Sequence, residues 1–126
     1  MSEIKQLLSL ATEDLETAKI LFELQRYRPC LSRAYYAMYY SAQTLLLSAG
    51  LETSTHKGVI KLINFHFTNT GKISQDIAKL LKSTYDLRQS GDYSTDFIAD
   101  RATAETAIAN AQQFIEEMQR IISLDE

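Results

Sequence analysis

The sequence predicts an all-α fold: an up-and-down antiparallel bundle of about five helices, forming a single domain over residues 1–126. Three observations carry this. Apolar residues recur every three to four positions through most of the chain. Only one proline and four glycines interrupt 126 residues, too few for the many turns of a strand-rich domain. The periodic stretches are separated by short segments that carry capping or breaking residues.

The first helix is expected from about Glu3 to Leu24, on the series Ile4, Leu7, Leu8, Ala11, Leu15, Ala18, Leu21 and Phe22, with Ser2 as N-cap. Residues 25–29 break the pattern, and Pro29 suits the first turn of the next helix. That second helix, about Pro29 to Ala49, carries two adhesive faces. Leu31, Ala34, Tyr35, Met38, Ala42, Leu45, Leu46 and Ala49 form one. Arg33, Tyr36, Tyr40, Gln43, Thr44 and Leu47 form a stripe nearly opposite. A helix with a core face and an aromatic–polar face has been packed twice, either within its own fold or against a second copy across the central helices. Gly50 ends it. A third helix follows from about His56 to Phe67, capped by Ser54 or Thr55, and then a turn at 68–72 containing Asn69 and Gly71. The fourth begins after Ser74 and is expected to end at Ser90, with Gly91 in the left-handed region. The fifth starts near Thr103 and carries Ala104, Ala107, Ile108, Ala111, Phe114, Ile115, Met118, Ile121 and Ile122.

Composition narrows the function. The single cysteine, Cys30, rules out an internal disulfide, and no Cys/His cluster exists for zinc. The net charge of −3 argues against broad, charge-driven nucleic-acid binding, so any RNA contact must be local. The acidic N-terminal segment is not a secretory signal, and no apolar run is long enough for a membrane span. A cytoplasmic protein is expected, with no metal, no cofactor, no membrane association and no DNA sequence recognition.

Arg88 is the first candidate for chemistry. It ends the inward series Ile77, Leu81, Thr84, and a buried guanidinium needs an anionic or carbonyl partner. A reversal at Gly91 would bring Asp92 and Tyr93 back toward it. Asp92 then either staples the helix end or orients Arg88 toward a phosphate. Arg33, beside Tyr36 and Tyr40, either stacks on the rings or binds an anion, and Asp86 or Asp92 is its expected partner if it is only packed. The segment Ser54-Thr55-His56-Lys57-Gly58 offers free N–H groups with His56 and Lys57 beside them, either an ordinary cap or an anion site. His66 reads as a packing or solvated residue. The acids Glu13, Asp14 and Glu16, like Glu116 and Glu117, read as solvated helix faces.

The string LSRAYYAMYYSAQTLLLSAGLE, the following THKGVI, the LRQSGDY turn and the alanine-rich AIANAQQFIEEM together resemble the HEPN domain, closest to the small stand-alone HEPN proteins of bacteria and archaea. The resemblance spans nearly the whole chain. It implies a homodimer, a small nucleotidyltransferase protein as partner, and in many relatives a metal-independent ribonuclease toxin restrained by that partner. The family motif is an arginine, four to six residues, then a histidine near the dimer cleft. Arg88 matches the arginine, but the histidine window holds Tyr93, Ser94 and Thr95. A phenol is a poor base at neutral pH. By position, Tyr93 corresponds to the tyrosine that such partners modify in some related pairs. The reading is therefore a module that binds a nucleotide or RNA phosphate at an Arg88-centred cleft, with Arg33, Tyr36, His56 and Lys57 as further ligand-binding residues and Asp92 and Tyr93 beside Arg88. The alternatives are a metal-independent ribonuclease with Arg88, Asp92 and Tyr93 as its catalytic residues and Asp92 or His56 replacing the missing base, and a purely structural dimerisation or docking domain.

Overall fold

The computed structural model describes residues 2–124, and five helices account for most of them: α1 (Ser2–Glu23), α2 (Tyr27–Ser48), α3 (His56–Ile63), α4 (Gln75–Tyr93) and α5 (Arg101–Leu124). A π-helical turn, Asn64–Thr68, extends α3 to the expected length, and no strand occurs among the described residues. The expected cap at Ser2 lies outside the described side chains.

The central helix α2 packs against α1, α3, α4 and α5. Its apolar face supplies the middle of the core, where Leu31, Ala34, Tyr35, Met38, Ala42, Leu45 and Leu46 are all buried. They meet Leu15 and Ala18 of α1, Leu81 of α4, and Ala107, Ala111, Phe114 and Met118 of α5. Small residues on α5 let the helices approach closely, while Phe114 and Tyr35 fill the remaining volume.

Helix ends follow local chemistry. Gly50 (φ 75°) closes α2: its N–H bonds to the Leu47 carbonyl at 3.0 Å and that of Leu51 to the Leu46 carbonyl at 2.8 Å, the paired bonds of a Schellman cap. Thr55 caps α3 by accepting from the Gly58 N–H at 2.9 Å, and Ser74 caps α4 by accepting from the Ile77 N–H at 3.2 Å.

Three boundaries depart from expectation. α2 begins at Tyr27, with Pro29 still in its first turn, where its missing N–H is no loss. α5 begins at Arg101, with Asp100 accepting from the Thr103 N–H at 2.8 Å. Most consequentially, α4 does not stop at Ser90. It runs through Gly91 to Tyr93, and Gly91 is a buried helical residue rather than a left-handed one. A Cβ there would meet only Leu31 Cδ1 of α2, at an ordinary contact distance of 3.5 Å. Arg28, in the first turn of α2, donates to the carbonyls of Gly91, Ser94 and Phe97 and secures the end of α4 and the segment beyond it.

Candidate functional site

Continuing α4 past Gly91 changes how Arg88 meets its neighbours. Asp92 reaches Arg88 across one helical turn, not by chain reversal, with Arg88 Nε 2.9 Å from Asp92 Oδ2. The approach is an ion pair off the N–H direction, because buried Nε makes no hydrogen bond. The other contact is long, from Nη1 to Gln89 Oε1 at 3.4 Å. Arg88 is thus a largely buried guanidinium (side chain 13% exposed) that is charge-balanced but under-bonded.

Tyr36 of α2 lies beside it. The Arg88 Cζ stands 5.3 Å from the Tyr36 ring centroid, and Arg33 Cζ stands 5.0 Å from the same centroid. Arg33 pairs with Asp14 of α1 at 3.0 Å, not with Asp86 or Asp92 as expected. Asp14 is therefore no solvated acid; its side chain is only 13% exposed. Asp86 instead pairs with Lys82 one turn away.

His56, the first residue of α3, enters the same cluster. Its ring lies 4.6 Å from Tyr39, 5.5 Å from Tyr35 and 5.8 Å from both Tyr36 and Tyr85. Burial, and secondarily the Arg88 charge, hold its pKa below the ordinary imidazole value, so it is neutral near pH 7. Nδ1 is 2.8 Å from the Tyr35 hydroxyl. Tyr35 is fully buried and its hydroxyl has no other partner among the described residues. Burial, reinforced by the neighbouring tyrosines, pushes its pKa far up, so it remains a protonated phenol. Donation from the Tyr35 O–H to an Nδ1 lone pair satisfies both groups, and it places the neutral ring's own hydrogen on Nε2, where it is a donor.

α2, α3 and α4 thus gather Arg33, Tyr36, His56, Arg88 and Asp92 around one tyrosine cluster. Two expected members stand apart. Lys57 is exposed and makes no ion pair among the described residues. Tyr93 closes α4 at 73% exposure, five positions beyond Arg88 and so roughly 140° around the helix from it. The expectation that Tyr93 folds back on Arg88 fails because the helix does not end before it. Sequence reasoning missed Asp14, Tyr35 and Tyr85. Periodicity puts Tyr35 on the core face, where it is, and nothing in that pattern marks a core phenol as the partner of a distant histidine.

A cavity of about 470 Å³ opens elsewhere, between the start of α1, the end of α2 and the 51–54 segment, and none of the cluster residues lines it. No group of three or more metal-ligating side chains exists among the described residues, and no described helix is long and apolar enough to cross a membrane.

A family model described as the HEPN domain matches residues 4–121. The chain belongs to the HEPN family. Its relatives include "Putative toxin MJ0605" of Methanocaldococcus jannaschii, 38% identical over 95% of this chain and 89% of that one. A "UPF0332 protein" of Thermotoga maritima is 31% identical over 89% of this chain and 85% of its own length. Among solved structures, TT1696 from Thermus thermophilus superposes with a TM-score of 0.82 at 18% identity, covering 96% of this HEPN chain and 99% of that one. The last likeness establishes the helical architecture. The toxin name belongs to the relative.

Proposed function

We propose that this HEPN protein is a toxin-type module that holds a nucleotide or RNA phosphate at Arg88, acting as a homodimer with a small nucleotidyltransferase protein in a toxin–antitoxin-like pair. The observation that carries the reading is the under-bonded guanidinium of Arg88 beside Tyr36 and His56. Asp92 holds Arg88 in place and leaves donors for a phosphate. The Tyr36 ring holds the Arg88 guanidinium by a cation–π contact, and the His56 Nε2–H adds a second donor. Lys57 contributes charge from the same end of α3. Tyr93, standing outside the cluster, meets the partner protein. Thr44, expected on the outer stripe of α2, is fully buried, and the rest of it, Arg33, Tyr36, Tyr40, Gln43 and Leu47, is half-buried and supports pairing of two copies along α2.

The same hydrogen-bond logic favours binding over cleavage. Attack by a 2′-OH needs a base with a free lone pair. His56, with its hydrogen on Nε2, offers a donor in that place; the Asp92 carboxylate is engaged by the Arg88 cation, which weakens it as a base; and Tyr93 stands too far around α4 to serve the Arg88 cluster. The test is titration with AMP and with a short RNA, each beside Arg88→Gln. Affinity in the wild type that falls at least tenfold in the variant supports the reading. RNA cleavage that Arg88→Gln abolishes would replace it with the ribonuclease reading. Absence of all nucleotide binding, with self-association retained in sedimentation, would leave a purely structural dimer.

A further inference from the structure

Two guanidiniums share one aromatic ring. With Cζ atoms 5.0 and 5.3 Å from the Tyr36 centroid, Arg33 and Arg88 stand at most about 10 Å apart. They arrive from different helices, Arg33 from α2 and Arg88 from α4. Each is steadied by its own acid: Asp14 of α1 takes one Nη of Arg33, and Asp92 takes the Nε side of Arg88. The two acids offset the repulsion that two close cations would otherwise suffer. A guanidinium carries five N–H donors; Arg33 gives one to Asp14, and Arg88 gives only a long one to Gln89 beside its Asp92 ion pair, so most of each fork is unused. Arg33 remains reachable, with 37% of its side chain exposed. A lone phosphate needs only one such fork.

We infer that the site takes two phosphates at once, adjacent phosphates of one short RNA strand, with Arg88 on one, Arg33 on the other and the Tyr36 ring between them. This rests on the nucleotide-binding reading above and adds to it a ligand class, an oligonucleotide rather than a mononucleotide. Charge-assisted contacts to two phosphates make binding salt-dependent in steps, with a slope of log K against log salt of about −0.7 for each phosphate of a single strand.

The probes are two 2′-O-methylated uridine dinucleotides, which cannot be cleaved through the 2′-oxygen. One carries a 5′-phosphate and so has two phosphates; the other lacks it and has one. The wild type is expected to bind the first about tenfold more tightly, with a salt slope steeper by about 0.7. Arg33→Gln should erase that preference, leaving the two probes within about twofold of each other and their salt slopes equal. Arg33→Lys, which keeps the charge but not the fork, should retain part of it. Equal affinities and equal slopes for the two probes in the wild type overturn the inference, whether or not Arg33→Gln folds. So does a preference that survives Arg33→Gln. If both probes bind equally and Arg88→Gln weakens both, only the two-phosphate inference falls. If neither binds, the nucleotide reading falls with it.

Discussion

The Tyr35 hydroxyl lies 2.8 Å from His56 Nδ1, joining the buried centre of α2 to the first residue of α3. The bond sets which imidazole nitrogen carries hydrogen. In the neutral wild-type protein, ¹⁵N-resolved NMR of the ring is expected to report the Nε2–H tautomer. Tyr35→Phe should release that constraint, yield a tautomer mixture and cost about 1 kcal/mol in urea unfolding. An Nδ1–H tautomer in the wild type would reverse the assignment and give His56 a free lone pair at Nε2.

His56 also gives stability a pH dependence. Burial and Arg88 lower its folded pKa, so below about pH 6.5 the unfolded chain takes up the proton first. Stability is therefore full above that pH and declines as pH falls from 6.5 toward the folded pKa. Replacing His56 with Gln should flatten the unfolding free energy between pH 7 and 5, measured by urea titration at each pH. Glu117 is held below its ordinary value by Arg120, so its contribution is lost only at lower pH, below about 4.5.

Most of the bundle is legible in the sequence because helix formation is local. The 3.6-residue periodicity of α1, α2 and α5, the Thr55 and Ser74 caps and the Gly50 stop all lie where sequence places them. The site is legible only in part. Arg33, Tyr36, His56 and Arg88 stand out as residue types, but their convergence depends on helix packing between residues more than 20 positions apart in most pairings. The departure at Gly91 arises because glycine reads locally as a left-handed stop, whereas here the residue is buried in a continuing helix whose Gly91 carbonyl is held by Arg28 of α2. Asp14 departs for a similar reason. A carboxylate on a charged helix face looks solvated until the helix opposite it presents an arginine.

Two glycine substitutions separate these cases. Gly50 has φ 75°, so Gly50→Ala forces a left-handed alanine and should cost about 1 kcal/mol although nothing crowds the site. Gly91 is helical and its added Cβ meets only Leu31 at ordinary contact distance. Gly91→Ala should therefore gain about 0.5–1 kcal/mol from helix propensity. Thermal unfolding of both variants beside the wild type checks the opposite signs. A loss at Gly91 comparable with that at Gly50 would mean that the chain reverses there after all.

Cys30 is fully buried on α2, and burial pushes its thiol up to about 11. Only a trace of thiolate exists at neutral pH, and the sulfur is out of reach of a bulky reagent. The native protein should leave Ellman's reagent nearly uncoloured over hours and release one equivalent on unfolding in guanidinium. The reaction rate then reports opening of the α2 N-terminal turn, which Arg28 ties to Gly91, Ser94 and Phe97. Arg28→Ala should speed labelling of Cys30 and amide exchange in the 94–98 segment together, since both are restrained by that one guanidinium. Faster exchange at 94–98 with Cys30 still silent would show that the clasp holds the segment after α4 but not the start of α2.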